Sequence, residues 1–112
     1  MKETIRNLEL VIDSSSEIEQ CGIVLKDGSV IPSKNLHEKP ETGFRVDPVL
    51  LVKHADRLAA TWHSHPDGPA NLSQADYLCF LQWPNLTHYI FGVDGVRVFL
   101  VDDGLVVEVS ID

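Results

Sequence analysis

The sequence is short of positive charge. Nine lysines and arginines stand against 17 aspartates and glutamates, which gives a formal net charge of -8. Residues 57–112 contain only two basic side chains, Arg57 and Arg97. A nucleic-acid-binding protein needs a basic face that displaces counterions from phosphates, and an anionic membrane attracts basic clusters in the same way. We therefore expect no nucleic acid and no membrane surface among the partners of this chain.

Cysteines and long hydrophobic runs are also scarce. Cys21 and Cys79 are the two cysteines, and they form no CxxC pair, so a disulfide framework is not expected. Each lies among apolar residues, where a cysteine usually acts as a small buried side chain. The uncharged stretch 80–93 contains Gln82, Pro84 and Asn85, which argues against a membrane span. Since the N-terminus also lacks the pattern of a secretory signal, we expect a soluble, cytoplasmic protein.

The remaining composition is that of one globular domain. Apolar residues make up 44% of the chain, enough for a single core, and we expect residues 1–112 to form one domain. No glycine-rich phosphate loop lies between a predicted strand and a predicted helix, which argues against nucleotide binding.

Hydrophobic periodicity predicts the element order α, β, β, α, β, α, β, β, β. The predicted helices are KETIRNLELVID, DPVLLVKHADRL and SQADYLCFLQW. The predicted strands are the two runs around Asp27-Gly28, then LAATWHSH, THYIFGV, VRVFLV and LVVEVSI. Residues 36–46 are predicted to form a surface loop. The fold class is therefore α/β, with a mixed central β-sheet flanked by helices.

Local signals support several of these boundaries. Asp27-Gly28 is a typical hairpin turn. Asp47 can cap the second helix, and Pro48 suits the first helical position because its missing N–H is not needed there. In the last strand, Leu105 and every second residue after it are predicted to form the packed face.

The segment HSHPDGPANLSQAD, residues 63–76, contains a possible metal site. Alternate residues of a strand point to the same face, so His63 and His65 lie about 6.6 Å apart at Cα with both rings on one side. The loop that follows returns the chain past the strand end and places Asp76 in the first turn of the next helix. Two imidazoles and one carboxylate could bind zinc and leave its fourth position open to water, as catalytic zinc sites do.

An ordinary structural explanation of the same segment stays open at this point. Ser73 and Asp76 form a variant of the helix capping box, in which both side chains satisfy helix-end amides. The two histidines could be polar residues that end a strand.

The spacing His-x-His, seven residues, then Ser-x-x-Asp resembles the signature of the JAMM (MPN-plus) zinc metalloprotease family. A second motif of that family, a glutamate two residues before a small or sulfur-bearing residue and a glycine, is similar to EQCG at 19–22. Glu19 is favoured over Glu17 for this position because Cys21-Gly22 follows it.

The resemblance implies a role for each site residue. His63, His65 and Asp76 would be zinc ligands in a fold of JAMM/MPN, cytidine-deaminase-like architecture. Glu19 would be the general base that activates a zinc-bound water, and later the acid for the leaving amine. Ser73 would stabilise the oxyanion of the tetrahedral intermediate. The remaining histidines, His37, His54 and His88, match no part of the motif and are interpreted as structural or surface residues.

The resemblance also implies the substrate class. The family hydrolyses peptide or isopeptide bonds, often at the tail of a ubiquitin-like protein. The short loops of this chain resemble the prokaryotic branch, and HSHPDGPANLSQADYLC is similar to the JAMM domain of phage tail assembly proteins. The partner expected is a protein or peptide substrate. The alternatives are a non-catalytic docking module of the same fold and a tail-assembly component that binds zinc only for structure.

Overall fold

The computed structural model describes residues 1–111 as three helices, one 3-10 turn and six strands. The helices are α1 (Lys2–Val11), α2 (Pro48–Lys53) and α3 (Gln74–Leu81), and the 3-10 turn is Ala55–Arg57. The strands are β1 (Cys21–Leu25), β2 (Val30–Ser33), β3 (Leu58–Ser64), β4 (Thr87–Gly92), β5 (Gly95–Asp102) and β6 (Leu105–Val109). This order confirms the predicted one. Among the described residues, no helix has both the length and the apolar character to cross a bilayer.

The strands form one mixed sheet in the order β2-β1-β3-β4-β5-β6. β3 and β4 are parallel, and every other neighbouring pair is antiparallel. Parallel neighbours need a crossover connection, and here that connection contains the loop 65–73 and α3. The predicted mixed α/β sheet is confirmed.

Helices cover both faces of the sheet. On one face, Ile5 and Leu8 of α1 pack against Trp62, Tyr89 and other apolar side chains of the central strands. The opposite face carries two further clusters, and these include side chains from the segment 44–51 and from α3. A sheet covered on both faces has buried side chains in both directions along its central strands.

β3 lies in the middle of this arrangement. It pairs with β1 on one side and β4 on the other, and residues 60–64 are all buried. Trp62 points to the α1 face, whereas Thr61 and His63 point to the α3 face. The end of β3 is therefore a buried position for functional side chains.

The second helix is shorter than predicted. Asp47 accepts a hydrogen bond from the Val49 amide and Pro48 occupies the first helical position, as expected. The α-helix then ends at Lys53 instead of continuing to Leu58, because the Arg57 amide donates to the His54 carbonyl and tightens the chain into a 3-10 turn.

The predicted packed face of the last strand was only partly right. Val109 packs against the α1-side cluster, but Leu105 is 59% exposed. Val106, which points the other way, packs against the cluster around α3. Both faces of β6 are partly covered because helices lie on both sides of the sheet.

Candidate metal centre

The two motif histidines meet at the end of β3. His63 lies within the strand, whereas His65 follows its last residue, Ser64, and its amide still donates to the Phe91 carbonyl at 2.7 Å. The two Nε2 atoms are 3.2 Å apart. His63 is fully buried, and the ring of Phe44 stacks on it at a centroid distance of 4.0 Å. The rings therefore converge, as the alternation along a strand predicts.

Asp76 completes the cluster from α3. Its Oδ1 lies 3.2 Å from His63 Nε2, and its Oδ2 lies 3.1 Å from His65 Nε2. The Asp76 amide donates to Ser73 Oγ at 3.0 Å, so Ser73 is the N-cap of this helix. The cap and the histidine contacts occur together, which means that the capping explanation and the metal-site explanation do not exclude each other.

The loop 65–73 fixes the ring of His65. His65 Nδ1 lies 2.9 Å from the Pro69 carbonyl, which can only accept, so Nδ1 carries a hydrogen. In the neutral ring Nε2 then presents a lone pair to the cluster. Pro69 is held in turn because the next amide, Ala70, donates to Asp94 Oδ1 at 2.8 Å. A carbonyl that fixes the tautomer is a common partner of metal-binding histidines.

Glu19 lies beside this cluster. A carboxylate oxygen of Glu19 and one ring nitrogen each of His63 and His65 lie within 4.8 Å of one another. Glu19 is 6% exposed, and its Oε1 has no hydrogen-bond partner within residues 1–111. Glu17, by contrast, is exposed. The structure thus places Glu19, and not Glu17, at the cluster.

Burial and mutual charge shift the protonation of all four groups. Burial raises the pKa of Glu19 to about 7. The hydrogen bond to Asp76 raises the pKa of His65 to about 8, whereas burial lowers the pKa of His63. Burial also opposes ionisation of Asp76, but the hydrogen bonds from His63 and His65 outweigh it, and its pKa is lowered. Perturbed groups that share one cleft are typical of functional sites.

The donor set fits zinc. Zinc binds imidazole nitrogen and carboxylate oxygen at about 2.0–2.2 Å, so neighbouring ligand atoms of a tetrahedral site are about 3.3–3.5 Å apart. His63 Nε2 lies 3.2 Å from His65 Nε2 and 3.2 Å from Asp76 Oδ1, and His65 Nε2 lies 3.1 Å from Asp76 Oδ2, the other oxygen of the same carboxylate. Two imidazole nitrogens at nearly the required spacing, with one carboxylate whose two oxygens each face one of them, argue for a metal centre.

Ser73 faces the same opening as the cluster. Its hydroxyl oxygen accepts from the Asp76 amide, which leaves the hydroxyl hydrogen free to donate. Ser73, Glu19 and His65 line a pocket of about 380 Å³ together with Thr42 and Asn71. The Ser73 hydroxyl therefore opens on the same pocket as Glu19 and His65.

The residues that hold the site in place do not belong to the two motifs' predicted ligands and catalytic groups. Phe44 supports His63, Asn35 binds the Glu19 carbonyl at 2.8 Å, and Ser64 Oγ accepts from the Gln20 amide at 2.9 Å. Ser64 lies inside the motif, and a buried hydroxyl between two ligand histidines was a usable signal. Nothing in the sequence marks Phe44 or Asn35, since the path of the loop 36–46 decides their contacts.

The cysteines and the other histidines lie outside the cluster. Burial raises the pKa of Cys21 to about 12 and raises the pKa of Cys79, so neither thiol is a ready nucleophile. His88 is fully buried, 2.6 Å from the Thr61 hydroxyl, and stacks on Phe80. His54 is also buried, while His37 is exposed. All of these match the structural or surface roles expected from the sequence.

Known proteins similar to this chain include JAB-domain homologs and a probable conjugate-cleaving protease. A family described as prokaryotic homologs of the JAB domain matches residues 11–102. A probable TtuB-protein conjugate cleaving protease of Thermus thermophilus is 40% identical over 82 residues, which cover 67% of this chain and 54% of that protein. The chain therefore spans about half the length of this curated relative.

The fold itself recurs in a solved structure. The solution structure of a protein from Desulfitobacterium hafniense aligns with a TM-score of 0.72 at 22% sequence identity. The alignment covers 100% of this chain and 89% of the other. At this identity the match establishes a shared fold.

Proposed function

This chain belongs to the family of prokaryotic homologs of the JAB domain, and from that premise we propose that it is a zinc-dependent peptidase that cleaves a protein conjugate at a peptide or isopeptide bond. One observation carries the proposal. The Nε2 atoms of His63 and His65 lie 3.2 Å apart, and each lies 3.1–3.2 Å from one oxygen of Asp76, beside the buried carboxyl group of Glu19. The name of the Thermus relative, a probable conjugate-cleaving protease, supports the same class of reaction.

His63, His65 and Asp76 would hold the ion. Two neutral nitrogens and one carboxylate are a typical ligand set of catalytic zinc sites, which keep a further position for solvent or substrate. A bound zinc ion would supply Lewis-acid chemistry, which acidifies water to a pKa of about 7 and polarises a carbonyl group. The Pro69 carbonyl holds His65 in the tautomer that can bind the ion.

Glu19 would move the proton. Its carboxylate accepts a proton from the attacking water and donates it to the leaving amine when the C–N bond breaks. In the metal-free protein the pKa of Glu19 is about 7, so its carboxyl group can both accept and release a proton near neutral pH, and such acid–base catalysis is typically worth about 10²–10⁴-fold in rate. Burial provides that pKa because it disfavours the charged carboxylate.

Ser73 would stabilise the transition state. Its hydroxyl hydrogen is not used by the helix cap, so it can donate to the oxygen of the scissile carbonyl as negative charge builds there. A single donor of this kind is worth about 10²–10³-fold in kcat. Because the cap fixes the position of the oxygen atom, the donor is preorganised.

The test replaces Glu19 with glutamine, which keeps the size of the side chain and removes the base. We expect Glu19→Gln to bind one zinc per chain and to lose at least about 100-fold in kcat. The substrate is a ubiquitin-like protein joined through its C-terminus to a lysine side chain of a reporter peptide. Zinc content is measured by elemental analysis of the same samples.

Glu17→Gln is the matched control, since Glu17 is two residues away and exposed. It should cleave at the rate of the parent. If zinc-loaded Glu19→Gln also cleaved at the parent's rate, Glu19 would not be the base.

The non-catalytic docking module is the competing proposal. It requires no ion, whereas His63→Ala and His65→Ala should each lose the zinc that the parent binds. A parent protein that bound no zinc under any loading condition would favour docking. Processing of a phage tail protein is an alternative substrate class for the same chemistry, and the Glu19→Gln comparison applies to it unchanged.

A further inference from the structure

We propose that Asn35 is a positioning residue that fixes the backbone of Glu19 against the metal cluster, an inference that rests on Glu19 acting as the base of the proposed reaction. Asn35 lies in the loop after β2, and within residues 1–111 it makes no hydrogen bond to His63, His65 or Asp76. It acts through the backbone of Glu19 and through the segment that carries Phe44.

The Asn35 side chain uses its full hydrogen-bonding capacity. Its Nδ2 donates to the Glu19 carbonyl at 2.8 Å and to the Gly43 carbonyl at 2.9 Å. Its Oδ1 accepts from the His37 amide and from the Arg45 amide, both at 3.0 Å. An asparagine side chain offers two donor hydrogens and two acceptor lone pairs, and all four are paired here.

These contacts join three separate segments of the chain. Asn35 links the segment before β1, which carries Glu19, to both ends of the loop 36–46. The same loop binds Glu19 a second time, because the Glu19 amide donates to the Pro40 carbonyl at 2.7 Å. Both backbone polar groups of Glu19 are therefore held by residues 35–46, the carbonyl by Asn35 and the amide by Pro40, outside any regular strand.

The four hydrogen bonds of the Asn35 side chain, here called the Asn35 clamp, also set the position of Phe44. Gly43 and Arg45, which flank Phe44, are both bound by Asn35. Phe44 stacks on the His63 ring at 4.0 Å with an interplanar angle of 15°. Asn35 thus connects the backbone of the base to the side chain that supports one metal ligand.

Loss of the clamp should move Glu19 without unfolding the sheet. The neighbouring residue Gln20 is held independently, since Ser64 Oγ accepts from the Gln20 amide and the Ser64 amide donates to the Gln20 carbonyl, both at 2.9 Å. This second attachment keeps β1 in register beside β3. A displacement of about 1 Å in a catalytic group is enough to cost about 10²-fold in rate.

The experiment compares Asn35→Ala, Asn35→Asp and the parent protein. Asn35→Asp keeps an acceptor for the amides of His37 and Arg45 but loses both donated bonds, including the one to Glu19. Asn85→Asp makes the same chemical change at an exposed position and is the control. Each variant is loaded with zinc, and kcat and KM are measured on the conjugate substrate.

We expect both Asn35 variants to keep one zinc per chain and a KM within twofold of the parent, while kcat falls about 10- to 100-fold. Asn85→Asp should match the parent in all three quantities. A purely structural role would lower the thermal midpoint without this selective loss in kcat. If zinc-loaded Asn35→Ala turned over within twofold of the parent, the proposal would be overturned.

A second measurement does not depend on activity. In the metal-free proteins, NMR spectra report the stacking of Phe44 on His63 as a ring-current shift of the His63 ring protons, and they report the Glu19 amide directly. We expect both signals to move in the Asn35 variants and to stay in place in Asn85→Asp. Unchanged signals would refute the clamp. A parent that cleaves no conjugate would instead refute the proposed function, and the NMR comparison would still decide the role of Asn35.

Discussion

His65 shows how single contacts set the chemistry of the centre. Its Nδ1 faces the Pro69 carbonyl and its Nε2 faces Asp76 Oδ2, so both ring nitrogens meet acceptors. In the metal-free protein this environment favours the doubly protonated ring, and the hydrogen bond to Asp76 raises its pKa to about 8. Zinc needs the neutral ring. The ion and a proton therefore compete for the same nitrogen.

The first prediction is that zinc binding at pH 7 releases about one proton from His65. With a pKa of about 8, roughly nine in ten His65 rings carry the extra proton at pH 7. His63 adds none, because burial lowers its pKa and keeps its ring neutral, whereas Glu19, with a pKa of about 7, adds up to about half a proton to the total. Calorimetry in two buffers with different ionisation enthalpies measures the released protons.

The raised pKa of His65 sets the direction in which zinc affinity changes with pH. Below about pH 8, apparent zinc affinity should fall up to tenfold for each unit of pH, and above that value it should level off. The same calorimetry at pH 9 is the control and should show little release from His65. Zinc binding without proton release at pH 7 would contradict the protonated His65–Asp76 pair.

At the residue scale, the sequence predicted the side chains whose positions depend on short spacings. His63, His65, Ser73 and Asp76 lie within 14 residues, and strand alternation plus one helix turn suffices to bring them together. Glu19 was assigned through a second motif. Asn35 was not identifiable, because its four partners are paired only after the loop 36–46 folds back on the chain.

At the scale of elements, turn and cap signals located every helix and strand in the right order. The sequence predicted the length of one helix, α2, wrongly. α2 stops at Lys53 because His54 and Arg57 form a tighter turn. The side chains of these two residues also interact, since Arg57 Nη2 lies 3.1 Å from His54 Nδ1. A contact of this kind depends on the geometry of the finished turn, so hydrophobic periodicity does not predict it.

The loop 65–73 packs closely against the end of β4, and this contact predicts that a substitution in β4 weakens zinc binding. An added Cβ at Gly92, the last residue of β4, would overlap the backbone of Pro69 and Ala70. Gly92→Ala should therefore push the loop away and shift the Pro69 carbonyl that orients His65. Changes to such supporting partners typically cost about 10–100-fold in metal affinity. Competition with a chromophoric chelator measures the loss.

Gly68→Ala is the control for this substitution. Gly68 lies in the same loop, and a Cβ there meets nothing within 4 Å. It should bind zinc as tightly as the parent. Equal zinc affinity in Gly92→Ala and Gly68→Ala would mean that the loop does not position His65.

At the scale of the whole molecule, the sequence predicted the class of fold but not the strand order. The order β2-β1-β3-β4-β5-β6 depends on β1 pairing with β3 across 32 intervening residues, from Leu25 to Leu58. Such long-range pairing leaves no local pattern. It nevertheless builds the centre, since it brings Cys21 opposite His63 and so places Glu19, two residues earlier, at the end of β3.

This construction predicts that zinc stabilises the whole domain. The proposed ligands come from the end of β3, from His65 directly after it and from α3, with Glu19 nearby, so the complete site exists only in the folded chain. An ion that binds only the folded state adds about 4 kcal/mol at a free concentration a thousand times its Kd. For a domain of this size, the melting temperature should rise by roughly 15 °C. Differential scanning calorimetry with zinc or with a chelator measures the shift.

His63→Ala is the matched comparison for this last prediction. The substitution removes a buried ligand that stacks on Phe44, so it lowers the melting temperature of the metal-free protein as well. The informative quantity is therefore the shift caused by zinc, which should vanish in His63→Ala and stay close to the parent value in Glu17→Gln. A parent whose melting temperature did not respond to zinc, or a His63→Ala variant that responded equally, would show that no ion links β3 to α3.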